Sequence, residues 1–166
     1  MLNALKKLFG SKYDRDIKQY LPIVEQINEY FESYNSLTHD ELRNKSLEFR
    51  ERISAYLSEI NEEIQNHKEN TEAEEDILVK EQMYDDLDAM IKKKDKLLEE
   101  VLKEILPEAF AVVKETARRF KENDTLTVKV TDHDREIAAY SNYVIIEGEK
   151  AVWKNSWVAA GGDIKW

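Results

Sequence analysis

The chain has 166 residues, 36% charged and 42% hydrophobic, with 25 Lys and Arg against 35 Asp and Glu for a net charge of −10. That suits one domain, or a helical part with a small appendage, and it excludes wholesale disorder. Having no cysteine, it has no disulfide, thiolate zinc site or cysteine nucleophile. It also lacks a bilayer-spanning apolar run, a secretory signal, a Gly-Lys-Ser/Thr phosphate loop and a triple-glycine fingerprint, so a reduced cytosolic compartment is expected.

Residues 1–20 hold five bases against two acids, net +3, while the remaining 146 residues carry −13. Bulk acidity argues against nucleic acid as a partner, because such binding depends on neutralising phosphates. In the first segment Leu2, Leu5, Leu8 and Phe9 recur at helical spacing beside Lys6 and Lys7, and Gly10 can end the turn. Such a segment either folds back on the core or lies on anionic lipid.

Ser11 reads as a cap for a helix whose face is Ile17, Tyr20, Leu21, Val24, Ile27, Tyr30 and Phe31. Pro22 should kink that helix or displace its start, and Asn35-Ser36 should end it. Thr38 and Glu41 form a capping box. Leu42, Phe49, Ile53, Tyr56, Leu57, Ile60 and Ile64 then predict a helix to about residue 65. Gln65 to Asn70 reads as a polar connection, and Thr71 with Glu74 as the next cap. Ile77, Tyr84, Ile91, Leu98 and Ile105 recur every seven residues, a coiled-coil-like seam flanked by Met83, Leu87, Met90, Leu97 and Val101. Two long antiparallel helices over 39–65 and 72–104 follow from this.

Pro107 at a first helical position predicts a further helix over 105–122, with Arg118 and Arg119 at its C-terminal end. After Asn123 the period becomes two: Leu126, Val128 and Val130 alternate with polar residues. Tyr143 to Ile146 and Ala151 to Trp153 flank Glu147-Gly148-Glu149-Lys150 as a hairpin. The fold expected is α+β, mostly α: a long antiparallel helical hairpin plus additional helices, with a small antiparallel β element near the C-terminus. Its divisions are 1–38, 39–104, 105–122 and 123–166. The last ends at Trp166 in a structured stretch and reads as cut.

No catalytic constellation stands out. His39, His67 and His133 are dispersed in caps and loops, and Glu63 with His67 makes no metal site alone. Asp132-His133-Asp134 reads as a solvated turn between strands, and Trp153 and Trp157 as sheet packing rather than a ligand face. Residues 61–104 hold 15 acids and 7 bases, a solvated face or a partner-binding one. On these residues alone the chain is a helical adaptor or scaffold whose acidic hairpin recruits a partner.

Three segments carry a resemblance. Leu8 to Arg15, Thr38 to Lys45 with Glu48 to Arg52, and Leu106 to Glu115 with its run L-P-E-A-F-A-V-V stand in the order found in SecA. This chain therefore resembles the N-terminal part of the SecA family, the motor ATPases of bacterial preprotein translocation. It departs from the family in a long helical pair between Arg52 and Leu106 and in about 45 residues of β structure after Phe120. The resemblance implies a parent that binds ATP and magnesium between two RecA-like domains and drives unfolded preproteins through the SecYEG channel. It also implies a cytoplasmic protein peripheral to the inner membrane, with a second protomer as a possible partner. The family's lipid-associating role falls on Leu5, Lys6, Lys7, Leu8, Phe9 and Lys12. No catalytic, cofactor or metal residue of the family maps inside 1–166, so this segment is expected to be a non-catalytic support.

Overall fold

The helices that start at His39, Ile77 and Asp132 begin where a side chain occupies free backbone N–H groups. The structure, a computed structural model, describes residues 12–159 and 162–165, with the backbone alone given for 14, 15, 157–159 and 162–165. The Ser11 cap lies outside these residues. Helix α1 (Lys12–Ser33) runs through Pro22, and Tyr34–Ser36 close it as one 3₁₀ turn at the expected break. Helix α2 (His39–Tyr56) opens on the anticipated box: Glu41 N donates to Thr38 Oγ1 at 3.2 Å, and Thr38 N donates to Glu41 Oε2 at 2.7 Å. Helices α3 (Ser58–Ala73) and α4 (Ile77–Glu122) follow.

The chain divides into two compact units, one of residues 46–106 and one of residues 1–45 with 107–166. The first is a helical hairpin with a core of Leu57, Ile60 and Ile64, packed by Ile53, Leu87, Met90, Leu97 and Leu98. Its first arm is interrupted at Leu57. Ser58 Oγ donates to the Ala55 carbonyl at 2.8 Å, a local bond that competes with the helical ladder.

Three boundaries differ from the sequence reading. Residues 65–70 are helical, because their polar side chains face solvent on a longer α3. Thr71 is no cap: it is buried, and its hydroxyl donates back to the His67 carbonyl at 2.8 Å. The reversal lies at 74–76, where Asp76 Oδ1 accepts from Leu78 N at 2.9 Å and Val79 N at 3.3 Å. Lys80 Nζ adds bonds to the carbonyls of Glu72 and Glu74, both at 3.3 Å. Pro107 starts no new helix, since α4 continues through it. The fixed φ of proline is helical in an interior as well as at a first position, at the cost of one ladder bond.

The seven-residue row is a buried seam only toward its Leu98 and Ile105 end. A helix of 3.6 residues per turn turns such a row about 20° per heptad away from a fixed partner. Ile105 is accordingly 4% exposed, Ile91 39%, Tyr84 51% and Ile77 80%. The hairpin core is packed by Leu87, Met90 and Leu97, flanking the row, together with Leu98 from the row itself. Ile105→Ala should therefore destabilise the hairpin unit by roughly 2–5 kcal/mol, the usual cost of emptying a core site. Ile77→Ala should stay within about 0.5 kcal/mol. Urea unfolding followed by helical circular dichroism distinguishes them, and equal losses would refute the drift.

The second unit joins a small helical core to a sheet. Tyr34, Leu42 and Ala111 are buried with Ile27, Phe31, Leu37 and Val112 around them. Strands β1 (Thr125–Lys129), β2 (Val144–Glu147) and β3 (Lys150–Lys154) form an antiparallel sheet in the order β1-β3-β2. Its inner face supplies Val128, Val144 and Ala151. The β2–β3 turn places Gly148 at φ +60°, which glycine adopts without steric cost. Strands β4 (Ser156–Ala159) and β5 (Gly162–Lys165) pair separately.

Residues 132–134 are not a solvated turn between strands. They open helix α5 (Asp132–Tyr140), capped by Thr131, with Asp134 fully buried. Val130 N bonds the Glu149 carbonyl and Asn155 N the Asp124 carbonyl, each at 3.0 Å. The alternation of an antiparallel ladder then turns the N–H and C=O of Thr125, Thr127 and Lys129 toward the outer edge.

Candidate functional site

The chemically richest part of the described chain is a set of buried charges in the unit of residues 1–45 and 107–166. Glu115, Arg118 and Arg119 stand three and four residues apart on α4, the spacing at which helical side chains meet. Glu115 is 0% exposed. It accepts from Arg118 Nε at 2.8 Å, Arg118 Nη2 at 2.7 Å and Arg119 Nε at 2.7 Å. Burial pushes its carboxyl up, but the hydrogen bonds from both guanidinium groups outweigh burial and hold it below the ordinary value.

Arg119 spends its other nitrogens on the turn before α2. Nη2 donates to the carbonyls of Tyr34 at 3.0 Å and Leu37 at 2.7 Å, and Nη1 to His39 Nδ1 at 3.0 Å. The Tyr34 carbonyl already accepts from Leu37 N at 3.1 Å, so Arg119 adds a second donor to the end of the 3₁₀ turn. Two turns before Glu115 on α4, Glu108 accepts from the Tyr34 hydroxyl at 2.8 Å and lies 3.8 Å from Lys45 Nζ. Lys114 Nζ sits 4.0 Å from the centre of the Phe31 ring.

A second cluster ties α2 to the sheet. Arg43 reaches Asp134 through two parallel bonds, Nη1 to Oδ2 at 2.8 Å and Nη2 to Oδ1 at 2.7 Å. Trp153 Nε1 donates to Oδ1 at 3.1 Å and Thr131 N to Oδ2 at 2.8 Å. Burial raises the Asp134 carboxyl, and the bonds from Arg43 and Thr131 more than reverse this, bringing it down to about 2. Asp40 Oδ1 accepts from Lys129 N at 2.8 Å, and Arg43 Nη1 donates to the Lys129 carbonyl at 3.4 Å.

Chemically these clusters hold elements together. Glu115 and Asp134 accept from charged donors on both oxygens, a poor state for a proton-transferring acid or base. Among the described residues no three His, Asp or Glu are grouped to hold a metal ion, and no helix is long and apolar enough to cross a membrane.

Sequence reading missed this network for a physical reason. Arg118 and Arg119 read as cations at a helix end, whereas they serve Glu115 and a turn about 80 residues earlier in the chain. The i, i+3 and i, i+4 spacing was the available signal, and Thr131-x-x-Asp134 was that of the second cluster. Of the proposed lipid-binding residues, Leu5, Lys6, Lys7, Leu8 and Phe9 lie outside the described residues, and Lys12 is the exposed first residue of α1. His67 Nε2 donates to the Met83 carbonyl at 2.7 Å, a structural tie across the hairpin. Trp153 packs and bonds inside the sheet unit.

Comparison with known proteins adds a family. The model described as the SecA DEAD-like domain matches residues 5–133. The protein named protein translocase subunit SecA of Flavobacterium psychrophilum is 44% identical over 164 residues, covering 99% of this chain and 15% of that protein. The like-named protein of Cytophaga hutchinsonii is 42% identical over 168 residues, covering 100% and 15%. That of Porphyromonas gingivalis is 40% identical over 162 residues, covering 98% and 14%. The chain thus spans about 15% of the length of these relatives. The alignments with these relatives extend over both the hairpin and the sheet. No solved structure matches the chain.

Proposed function

The chain belongs to the SecA family, and from that premise we propose that it forms the N-terminal part of a preprotein translocase ATPase driving export through the SecYEG channel. The observation that supports this is the match of 44% identity over 99% of the chain to a protein translocase subunit SecA. In this reading the parent works in the cytoplasm and at the inner membrane, on unfolded preproteins. ATP and magnesium are handled by polypeptide outside these 166 residues.

The segment's own task is support. The Arg119–Glu115 and Arg43–Asp134 clusters lock the helical core and the sheet into one rigid piece. Leu5, Lys6, Lys7, Leu8, Phe9 and Lys12 add a lipid contact: leucines and phenylalanine enter the acyl boundary and lysines meet anionic headgroups. A chimera tests both parts. Residues 1–166 placed into the Flavobacterium psychrophilum relative should retain preprotein translocation, and loss of translocation by a folded chimera overturns the reading. Within it, Lys6→Glu/Lys7→Glu should weaken sedimentation with anionic vesicles by at least about thirtyfold, at roughly 1 kcal/mol for each lysine lost. Unchanged sedimentation removes the anchor and leaves the support role standing.

A further inference from the structure

We propose that the distal end of the helical hairpin, formed by Ile77, Leu78, Val79 and Tyr84, docks a basic amphipathic helix of a protein partner. The inference does not depend on the export reading.

Three consecutive aliphatic residues stand at the start of α4, and Ile77 and Leu78 are 80% and 77% exposed. Runs of exposed apolar residues work against solubility unless something covers them. This one is held in a defined conformation. Asp76 fixes the N–H groups of Leu78 and Val79, and Lys80 is bonded to the carbonyls of Glu72 and Glu74. The side chains are thus presented by an ordered backbone, which lowers the entropy cost of binding.

The occupant's shape follows from the period. Ile77 and Tyr84 belong to a strict seven-residue row, the repeat selected by a second helix lying alongside. At its Ile77 and Tyr84 end that row has rotated off α3, whose contacts are taken by Leu87 and Met90. It remains a seam without its strand.

Charge supplies the rest. Residues 75–88 contain six acids, Glu75, Asp76, Glu81, Asp85, Asp86 and Asp88, and one base, Lys80. Lys80 is already committed to backbone carbonyls. Among the described residues none of Glu75, Glu81, Asp85 and Asp88 makes an ion pair. An apolar row with an acidic border complements a helix with lysine or arginine beside its apolar positions. The same border repels an anionic lipid surface.

The test uses the whole chain and two synthetic peptides with leucines at heptad a and d positions, one flanked by lysines and one by glutamates. The lysine peptide should bind, with an affinity that falls as salt rises, and the glutamate peptide should not. Ile77→Ser/Leu78→Ser should weaken binding by at least about tenfold, from the apolar area lost. Both sites are exposed, so circular dichroism should confirm an unchanged helix content. Glu81→Lys/Asp85→Lys should reverse the preference between the peptides. Equal binding of both, binding of neither, or an unaltered affinity in the Ile77→Ser/Leu78→Ser variant overturns the proposal. If that variant instead loses sedimentation with anionic vesicles, the surface is a lipid contact and the proposal falls.

Discussion

Glu115→Ala should cost about 3–5 kcal/mol of stability, the price of leaving a buried guanidinium without its carboxylate. Arg119 is nearly as buried as Glu115 and cannot turn to water. Its remaining bonds, to two backbone carbonyls and the His39 ring, supply no negative charge. Arg118→Ala should cost far less, about 1 kcal/mol or below, because that side chain is partly solvated and Glu115 keeps Arg119. Of the three tryptophans, at 153, 157 and 166, Trp153 packs in the sheet of the compact unit that holds Glu115. Tryptophan fluorescence in urea therefore reports the relevant unfolding. A Glu115→Ala midpoint that coincides with the parent chain would show the cluster to be dispensable.

Asp134→Asn should remove about 3 kcal/mol at neutral pH, since a fully buried carboxylate there serves Arg43, Thr131 and Trp153 together. The pH dependence has a definite sign. The folded carboxyl titrates at about 2 against 3.8 when unfolded, so protons bind the unfolded chain first. The contribution, about 2 kcal/mol, is complete above the unfolded value and disappears as pH drops from near 4 toward 2. Glu115, held low for similar reasons, is lost in the same direction. The gap between parent and Asp134→Asn should accordingly narrow on acidification. A gap that stays constant from neutral pH into the acid range would show that the charge of Asp134 contributes nothing.

Local rules carried the sequence reading where the partners are local. The Thr38 box, the break at Asn35-Ser36, the strand alternation and the Gly148 turn each depend on residues within a few positions, and the structure has them all. Spacing alone misled where a partner decides. Polar residues 65–70 suit a loop or an exposed helix face equally well, and only the length of α4 opposite makes them helix. The heptad row looked like a seam because periodicity reveals a stripe, not the direction in which it points. Of the buried clusters, Arg119 with Tyr34 and Leu37 is separated by 82 to 85 residues, beyond any motif. The family resemblance was readable in Leu106 to Glu115, where Ala111 and Glu115 are fully buried, and structural demands are strictest.

Strand β1 forms one border of its sheet, and such borders invite unrelated chains to add on. Here Asp40 and Arg43 occupy both outward groups of Lys129. Only Thr125 and Thr127 remain to receive an incoming strand, a foothold much shorter than an ordinary strand of five or six residues. The same α2 side chains that fasten the sheet therefore also protect the protein from aggregating through it.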